Sequence, residues 1–234
     1  MRLLLQSKLY FLFNGHKIKI LAVDKSNQIE VYIMKKTNQF IKRAFDIVMS
    51  SIGIIILLPV FIIVSIAIYI GSPGDILFLQ KRVGRYGKEF NIYKFRTMIS
   101  DAEKLGKQIT VGNDNRITKV GAVLRKFKID ELPQLFNVFK GDMSLVGPRP
   151  EVPKYVSLYT EEQKKVLSIR PGITDMASLR YRDENDILGK VDNPEEYYIN
   201  VIMQDKLSLN LEYIEKSNLI FDISLILKTI IKCI

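Results

Sequence analysis

Two adjacent carboxylates, Asp130 and Glu131, are the residues of this chain best suited to chemistry. A carboxylate can act as a nucleophile toward phosphorus, and a second one can hold Mg²⁺, which prefers one or two protein carboxylates plus substrate phosphates. Arg149 lies between two prolines in Gly147-Pro148-Arg149-Pro150, and its planar guanidinium matches phosphate oxygens. Together, these three side chains predict chemistry at a phosphate group.

The residues that lead into the acid pair are basic, namely Arg125, Lys126 and Lys128. Their charge favours an ionised Asp130 and attracts an anionic substrate. An alternative interpretation makes Asp130 the N-cap of a helix, in whose first turn Pro133 is tolerated. The apolar residues that follow with helical spacing are Leu132, Leu135, Phe136, Val138 and Phe139. Spacing alone favours the cap, but the two interpretations are compatible because a helix N-terminus attracts anions.

Composition narrows the class of protein. The 234 residues include 35 Lys and Arg against 25 Asp and Glu, a formal net charge of +10, which suits nucleic acid, an anionic membrane surface or phosphorylated substrates. The single histidine, His16, argues against a Ser-His-Asp triad or a histidine metal site. The single cysteine, Cys233, excludes an internal disulfide and fits a reducing compartment. No cleavable signal is evident at the N-terminus.

A long apolar segment predicts membrane association. No charged residue occurs from Ile47 to Gly74, and Ile52 to Ile70 is almost wholly apolar, close to the roughly 20 residues that a spanning helix needs. Pro59 in its middle removes one helical hydrogen bond. Basic residues, which stay on the cytoplasmic side, flank both ends: Lys35, Lys36, Lys42 and Arg43 before, Lys81, Arg82, Arg85 and Lys88 after. A bent helix that enters and returns on one face satisfies these observations; a kinked span and a buried core helix are the alternatives.

Periodicity predicts several smaller elements. Strands are predicted at Ile18–Val23 and Ile29–Met34, and again at Ile76–Gln80 and Phe90–Arg96 around a turn at Gly84 and Gly87. Helical spacing joins Ile117, Val120, Leu124 and Phe127, and Pro194 can open a helix that runs through Met203. The C-terminal apolar face contains Leu219, Ile220, Ile223, Ile226, Leu227, Ile230 and Ile231. This amphipathic helix suits a membrane interface or a soluble core equally well.

Six motifs occur in a fixed order along the chain. They are Lys42-Arg43-x-Phe45-Asp46, Tyr93-Lys94-Phe95-Arg96-Thr97-Met98, Asp130-Glu131-Leu132-Pro133-Gln134-Leu135, Gly141-Asp142-Met143-Ser144, Gly147-Pro148-Arg149-Pro150 and Arg170-Pro171-Gly172-Ile173-Thr174. In this order the chain resembles the bacterial sugar transferases, the monotopic phosphoglycosyl transferases, from about Phe40 to the C-terminus. Three stretches depart from the common family pattern. Leu58-Pro59 stands where a Ser-Pro pair is often seen, Asp175-Met176-Ala177-Ser178 stands where many members have Gly, then Trp or Leu, and Gln, and Arg180-Tyr181-Arg182-Asp183-Glu184 differs from the frequent Gly-Arg.

The resemblance implies an enzyme of the bacterial inner membrane with its catalytic domain on the cytoplasmic face. Such an enzyme moves a sugar phosphate from a nucleotide sugar, usually UDP-linked, to polyprenyl phosphate. It thereby releases UMP and initiates a surface glycan such as an exopolysaccharide, capsule, O-antigen or glycoprotein. Asp130 is then the nucleophile and forms a covalent phosphosugar intermediate, and Glu131 helps to bind Mg²⁺. The implied phosphate contacts are Arg125, Arg149 and Arg182, with Arg96 as a further candidate.

The implied fold is α+β and mostly helical. It combines a re-entrant membrane helix bent at Pro59, a compact cytoplasmic catalytic domain with a short β-hairpin, and amphipathic interfacial helices. We divide the chain into a leader (1–39), the re-entrant helix (40–75), the catalytic domain (76–190) and a C-terminal amphipathic helical region (191–234). The expected partners are a nucleotide sugar, polyprenyl phosphate and the membrane, without nucleic acid; a homodimer is an open option. The alternative function is a basic, membrane-tethered module that binds anionic lipid or nucleic acid.

Overall fold

The computed structural model describes residues 8–14, 17–23, 25–100, 102 and 114–233, with side chains from residue 39 onward. The chain separates into two compact units, Met1–Ala44 and Phe45–Ile234. Within the described residues, helices predominate and every sheet has two strands. The expected mostly helical α+β class is therefore confirmed, whereas the four-part division of the chain stays a prediction.

The first unit contains one antiparallel pair, β1 (Lys8–Asn14) and β2 (Lys17–Val23). The predicted strand at Ile18–Val23 is confirmed. The second predicted strand, Ile29–Met34, is wrong, because these residues belong to helix α1 (Lys25–Gly71). Strong helix formers such as Met, Lys, Gln and Glu surround the β-branched residues there, so helix propensity prevails, and β2 pairs with the preceding strand instead.

Helix α1 carries the apolar segment. Its Gln39–Gly71 portion is long and apolar enough to cross a membrane, and its most apolar window of 18 residues has a mean hydropathy of 2.9 and is only 17% buried. The buried-core alternative is therefore not supported. Pro59 lies inside α1, and helix continues on both sides of it. The side chains buried along one stripe are Asp46, Ser50, Phe61, Val64 and Ile68, and large apolar side chains such as Ile55, Ile63 and Ile70 are exposed elsewhere on the helix.

The predicted hairpin follows α1. Strands β3 (Leu77–Val83) and β4 (Glu89–Phe95) pair antiparallel, with Leu77 opposite Phe95 and Val83 opposite Glu89. The connecting turn contains Tyr86 and Gly87, both at positive φ, a conformation that Gly adopts without steric cost. Prediction and structure agree here because alternation and turn residues both act locally.

Helices α2 (Lys119–Lys126) and α3 (Gln134–Lys140) bracket the acid pair. Between them, Lys128 adopts a left-handed conformation and a 3₁₀ turn spans Ile129–Glu131. The predicted N-cap role of Asp130 is wrong, because Asp130 lies inside this turn and Pro133 occupies the N-cap position of α3. The left-handed Lys128 ends the preceding helical path early, so the acid pair falls one turn before α3.

A short parallel pair, β5 (Ser144–Val146) and β6 (Gly172–Thr174), lies at the centre of the second unit. The backbone of β6 comes very close to the residue that follows β5, because a Cβ on Gly172 would lie 2.1 Å from the Gly147 nitrogen. Gly is therefore required at this position. The connection between the strands contains α4 (Pro153–Val156) and a 3₁₀ stretch, Gln163–Ser168.

The remaining chain is helical. Its elements are α5 (Met176–Arg180), α6 (Glu184–Leu188), α7 (Pro194–Tyr197), a π-helical turn (Tyr198–Ile202), α8 (Met203–Lys216) and α9 (Leu219–Cys233). The predicted helix from Pro194 is confirmed, and it continues through the π-helical turn into α8. Helix α9 buries Asp222 and Leu225 but exposes Ile220, Leu227 and Ile231. It therefore packs on the core through one face while its isoleucine-rich face stays exposed. The role of that exposed face at a membrane interface stays a prediction.

Candidate active site

Glu131 is the centre of a buried charge cluster built from three separate elements. Lys94, near the end of β4, donates to Glu131 Oε1 at 2.9 Å. Arg149, just beyond β5, donates to the same oxygen through Nη2 at 2.5 Å and to Oε2 through Nη1 at 3.3 Å. The Lys94 and Glu131 side chains are 16% and 15% exposed, whereas Arg149 keeps 34% exposure. Arg149 is thus the member of the cluster most accessible to a ligand.

The cluster fixes the ionisation of its members. Burial raises the pKa of Glu131, but attraction to Arg149 and Lys94 outweighs it and holds the pKa well below the ordinary value. The negative charge of Glu131 raises the pKa of Arg149. Burial lowers the pKa of Lys94, against the attraction of Glu131. Glu131 is therefore a carboxylate at neutral pH, and Arg149 is a cation.

Asp130 differs from its neighbour. It is 9% exposed, and its Oδ1 is buried without a hydrogen-bond partner among the described residues. Burial and then the charge of Glu131 raise its pKa, against the opposing charges of Lys94, Arg125 and Lys128. Arg125 and Lys128 act on the pKa of Asp130 in the predicted direction, but burial raises it by more.

Arg125 is held near the acid pair. Its Nε donates to Thr97 Oγ1 at 2.9 Å, and burial lowers its pKa while the charge of Asp130 raises it. Helix α2 approaches Thr97 closely, because a Cβ on Gly121 would lie 2.0 Å from the Thr97 carbonyl oxygen. The structure thus brings Arg125, Arg149 and the two carboxylates into one electrostatic neighbourhood.

Arg96 and Arg182 lie in other settings. Arg96 is buried, and its guanidinium donates to the carbonyl oxygens of Pro73 and Ser72, both at 2.6 Å, just beyond the end of α1. These contacts tie the hairpin to the chain that leaves the apolar helix. Arg182 is exposed on the turn between α5 and α6. Their predicted roles as phosphate contacts stay predictions.

Lys94 is the member of the charge cluster that the sequence analysis did not single out. It lies in the second of the six ordered motifs, Tyr93 to Met98, but the pattern of that motif alone indicated no chemistry for it. The signal was present in the strand period, because Lys94 shares a face of β4 with Ile92, which is buried. A lysine on the apolar face of a strand requires a buried counter-charge, and Glu131 supplies it.

The segment that carries Arg149 is hydrogen-bonded to strand β3. Arg82 of β3 donates to the Pro150 carbonyl oxygen at 3.2 Å, and Val83 N donates to the Glu151 carbonyl oxygen at 2.9 Å. The Glu151 carboxylate accepts hydrogen bonds from Tyr198 and Arg82. Two small cavities of about 20 Å³ each, with Arg149 in the lining of both, lie along this segment.

The donor set suits a magnesium ion rather than a transition metal. Among the described residues, no group of three or more His, Cys, Asp or Glu side chains could hold a metal. Asp130 and Glu131 still offer carboxylate oxygens, including the unpartnered Oδ1. Since Mg²⁺ uses one or two carboxylates and completes its shell with water and phosphate oxygens, these two residues fit it.

Comparison with known proteins identifies the class to which this fold and site belong. Residues 37–234 match the family described as bacterial sugar transferase, and the chain belongs to this family. The resemblance seen in the ordered motifs is thereby confirmed.

Three relatives illustrate the family. An Aeromonas hydrophila protein named UDP-N-acetylgalactosamine-undecaprenyl-phosphate N-acetylgalactosaminephosphotransferase is 40% identical over 179 residues, which cover 74% of this chain and 42% of the relative. The Escherichia coli UDP-glucose:undecaprenyl-phosphate glucose-1-phosphate transferase is 36% identical over 200 residues, or 83% of this chain and 40% of the relative. The exopolysaccharide production protein PSS of Rhizobium leguminosarum is 36% identical over 198 residues, or 82% and 94%. The chain thus spans less than half of the first two relatives but nearly all of the third.

Proposed function

We propose that the chain transfers a sugar 1-phosphate from a UDP-sugar to a polyprenyl phosphate and so initiates a surface glycan. The observation that carries the proposal is the pairing of a buried, unpartnered Asp130 oxygen with the adjacent cluster of Glu131, Lys94 and Arg149. The names of the relatives, which include UDP-sugar and undecaprenyl-phosphate transferases, support the same substrates.

Asp130 would react in two steps. Its carboxylate oxygen attacks the phosphorus that bears the sugar, and the bond from that phosphorus to the bridging oxygen breaks, so UMP leaves. An oxygen of polyprenyl phosphate then attacks the same phosphorus, the acyl phosphate bond between the Asp130 oxygen and phosphorus breaks, and Asp130 is regenerated as polyprenyl diphosphate sugar forms. The Oδ1 atom of Asp130 has no hydrogen-bond donor among the described residues, which supports the assignment because its lone pairs are available for attack on phosphorus.

The neighbouring charges would stabilise the phosphate groups. Arg149, one-third exposed, can turn part of its planar fork toward phosphate oxygens while Glu131 holds the rest. Arg125 adds a second cation beside Asp130. Glu131 and Asp130 would hold Mg²⁺, which supplies charge neutralisation at the phosphate oxygens. Positioning and electrostatic stabilisation are the main needs of phosphoryl transfer.

A one-sided membrane association agrees with how α1 is held. Near the start of the apolar segment, Asp46 accepts a hydrogen bond from Leu145 N at 3.0 Å. Just past its end, Arg96 binds the Ser72 and Pro73 carbonyl oxygens. Both ends are thus bound to the unit that contains the site, which favours a helix that enters and returns on the cytoplasmic face of the inner membrane. The exposed isoleucines of α9 offer a second apolar surface for the interface.

Mass spectrometry of the intact protein tests the nucleophile directly. After incubation with a UDP-sugar alone, the wild type should gain one sugar-phosphate mass, and UMP should leave before polyprenyl phosphate is added. Asp130→Asn should gain nothing, because a neutral amide is a poor nucleophile. The matched control is Asp186→Asn, the same change at an exposed carboxylate of α6, which should carry the adduct normally. An adduct on Asp130→Asn, or sequential kinetics in the wild type, would remove Asp130 from this role.

A further inference from the structure

Asp175 occupies a place in the site that the proposed mechanism has not used. It follows β6 directly and is completely buried, at 0% exposure. Its Oδ2 accepts a hydrogen bond from the backbone nitrogen of Arg149 at 3.0 Å, and its Oδ1 accepts one from the Ser178 nitrogen at 2.5 Å, which caps α5. One carboxylate thus bonds the Arg149 segment and the start of a helix at the same time.

The sequence around Arg149 makes this bond unusually important. Pro148 and Pro150 have no backbone N–H, so the N–H of Arg149 is the one backbone donor within the Pro-Arg-Pro stretch. Asp175 takes that donor. The strands on either side are also paired, because Gly147 N donates to the Thr174 carbonyl oxygen at 3.0 Å. Arg149 and Asp175 therefore lie side by side, just beyond the carboxyl ends of the two parallel strands β5 and β6. Ligand sites of α/β sheets are commonly found at such strand ends.

We infer that Asp175 is a positioning residue that sets the backbone of Arg149 and thereby aims its guanidinium at Glu131 and the donor phosphates. The contact with donor phosphates rests on the proposed function, whereas the hydrogen bond from Arg149 N to Asp175, which we call the anchor, is a structural property of this chain. Its negative charge also lies near the Arg149 cation. Asp175, which departs from the common family pattern, consequently has a role in the site.

Asp175→Ser separates the two bonds. Serine is a good N-cap, so the bond to Ser178 N and helix α5 are retained, but one short hydroxyl cannot also reach Arg149 N. The control is Ser178→Ala, which changes the same helix and leaves both backbone donors in place. If Asp175→Ser does not fold, Asp175→Asn serves instead, because its amide nitrogen replaces one of the two carboxylate oxygens that accept these bonds and cannot itself accept one.

Hydrogen exchange measures the anchor without any activity. A peptide over residues 147–151 retains label only at the amides of Arg149 and Glu151, because Gly147 becomes its terminal amine and both prolines have no N–H. In full-length protein, Asp175→Ser should speed the exchange of one amide in this peptide about tenfold or more, and Ser178→Ala should not. Unchanged exchange in Asp175→Ser would overturn the inference.

UMP binding then tests whether the anchor acts through Arg149. In the wild-type background, Asp175→Ser should weaken UMP binding, measured by titration calorimetry, about tenfold, because a misplaced phosphate contact is lost. In an Arg149→Ala background, the same change should alter binding less than twofold. Equal effects in both backgrounds would show a general structural role and refute the positioning role. Failure of the wild type itself to bind UMP would count against the proposed function, whereas the exchange result would still decide on the anchor.

Discussion

Lys94→Met removes one of the two cations that hold Glu131, with little change in side-chain length. The lost contact is a 2.9 Å charge-assisted hydrogen bond between groups only 16% and 15% exposed. Such a bond stabilises a protein by roughly 1.5–3 kcal/mol, and Arg149 remains as a partner for Glu131. We therefore expect a loss of about 2 kcal/mol, which lowers the melting temperature of a domain of this size by about 4–8 °C.

Thermal unfolding of the detergent-solubilised chain, followed by circular dichroism, measures this loss. Glu131→Gln and the double variant complete a thermodynamic cycle, in which the double variant should lose about 2 kcal/mol less than the sum of the two single losses. The matched control is Lys81→Met on β3, whose pair with Glu89 is 3.5 Å long and mostly exposed, so its loss should be close to zero. Additive losses, or a shift no larger than that of Lys81→Met, would refute the reasoning about the cluster.

Two further predictions concern the metal and the membrane. Glu131→Gln keeps size but removes the charge that attracts a hard cation, so transfer measured as UMP release should fall by orders of magnitude, and EDTA should abolish wild-type activity until Mg²⁺ is restored; full turnover in EDTA would exclude the metal role. In a Cys233→Ser background, single cysteines at Lys36 and Lys88 should both react with an impermeant reagent only from the cytoplasmic side, because basic flanks stay there; periplasmic labelling at either position would exclude the re-entrant helix.

Local patterns predicted the local structure of this protein well. The β3–β4 hairpin, helix α2 and the helix that starts at Pro194 could be placed from strand alternation, turn residues and helical spacing. The N-cap prediction for Asp130 failed for a physical reason. The left-handed conformation of Lys128 is a tertiary choice that no spacing of apolar residues encodes, and it moves the acid pair into a 3₁₀ turn.

The sequence singled out three side chains that the structure brings together, but not their arrangement, and their catalytic roles stay predictions. Asp130, Glu131 and Arg149 could be chosen by residue type, since phosphate chemistry needs carboxylates and guanidinium groups. Their partners required contacts between distant segments: Lys94 comes from the hairpin, and Asp175 comes from the far strand of the parallel pair. The raised pKa of Asp130 is caused mainly by burial, which cannot be predicted from the charged residues next to it in the sequence.

The hydrogen bond from Leu145 N to Asp46 has a consequence for how the protein is made. The two residues are 99 positions apart, so the ribosome completes the whole apolar stretch of α1 long before β5 exists. During that interval the side chains of Asp46 and Ser50, which are buried in the final structure, cannot yet be covered by the later chain. The final packing of this face of α1 can therefore form only after translation has passed β5.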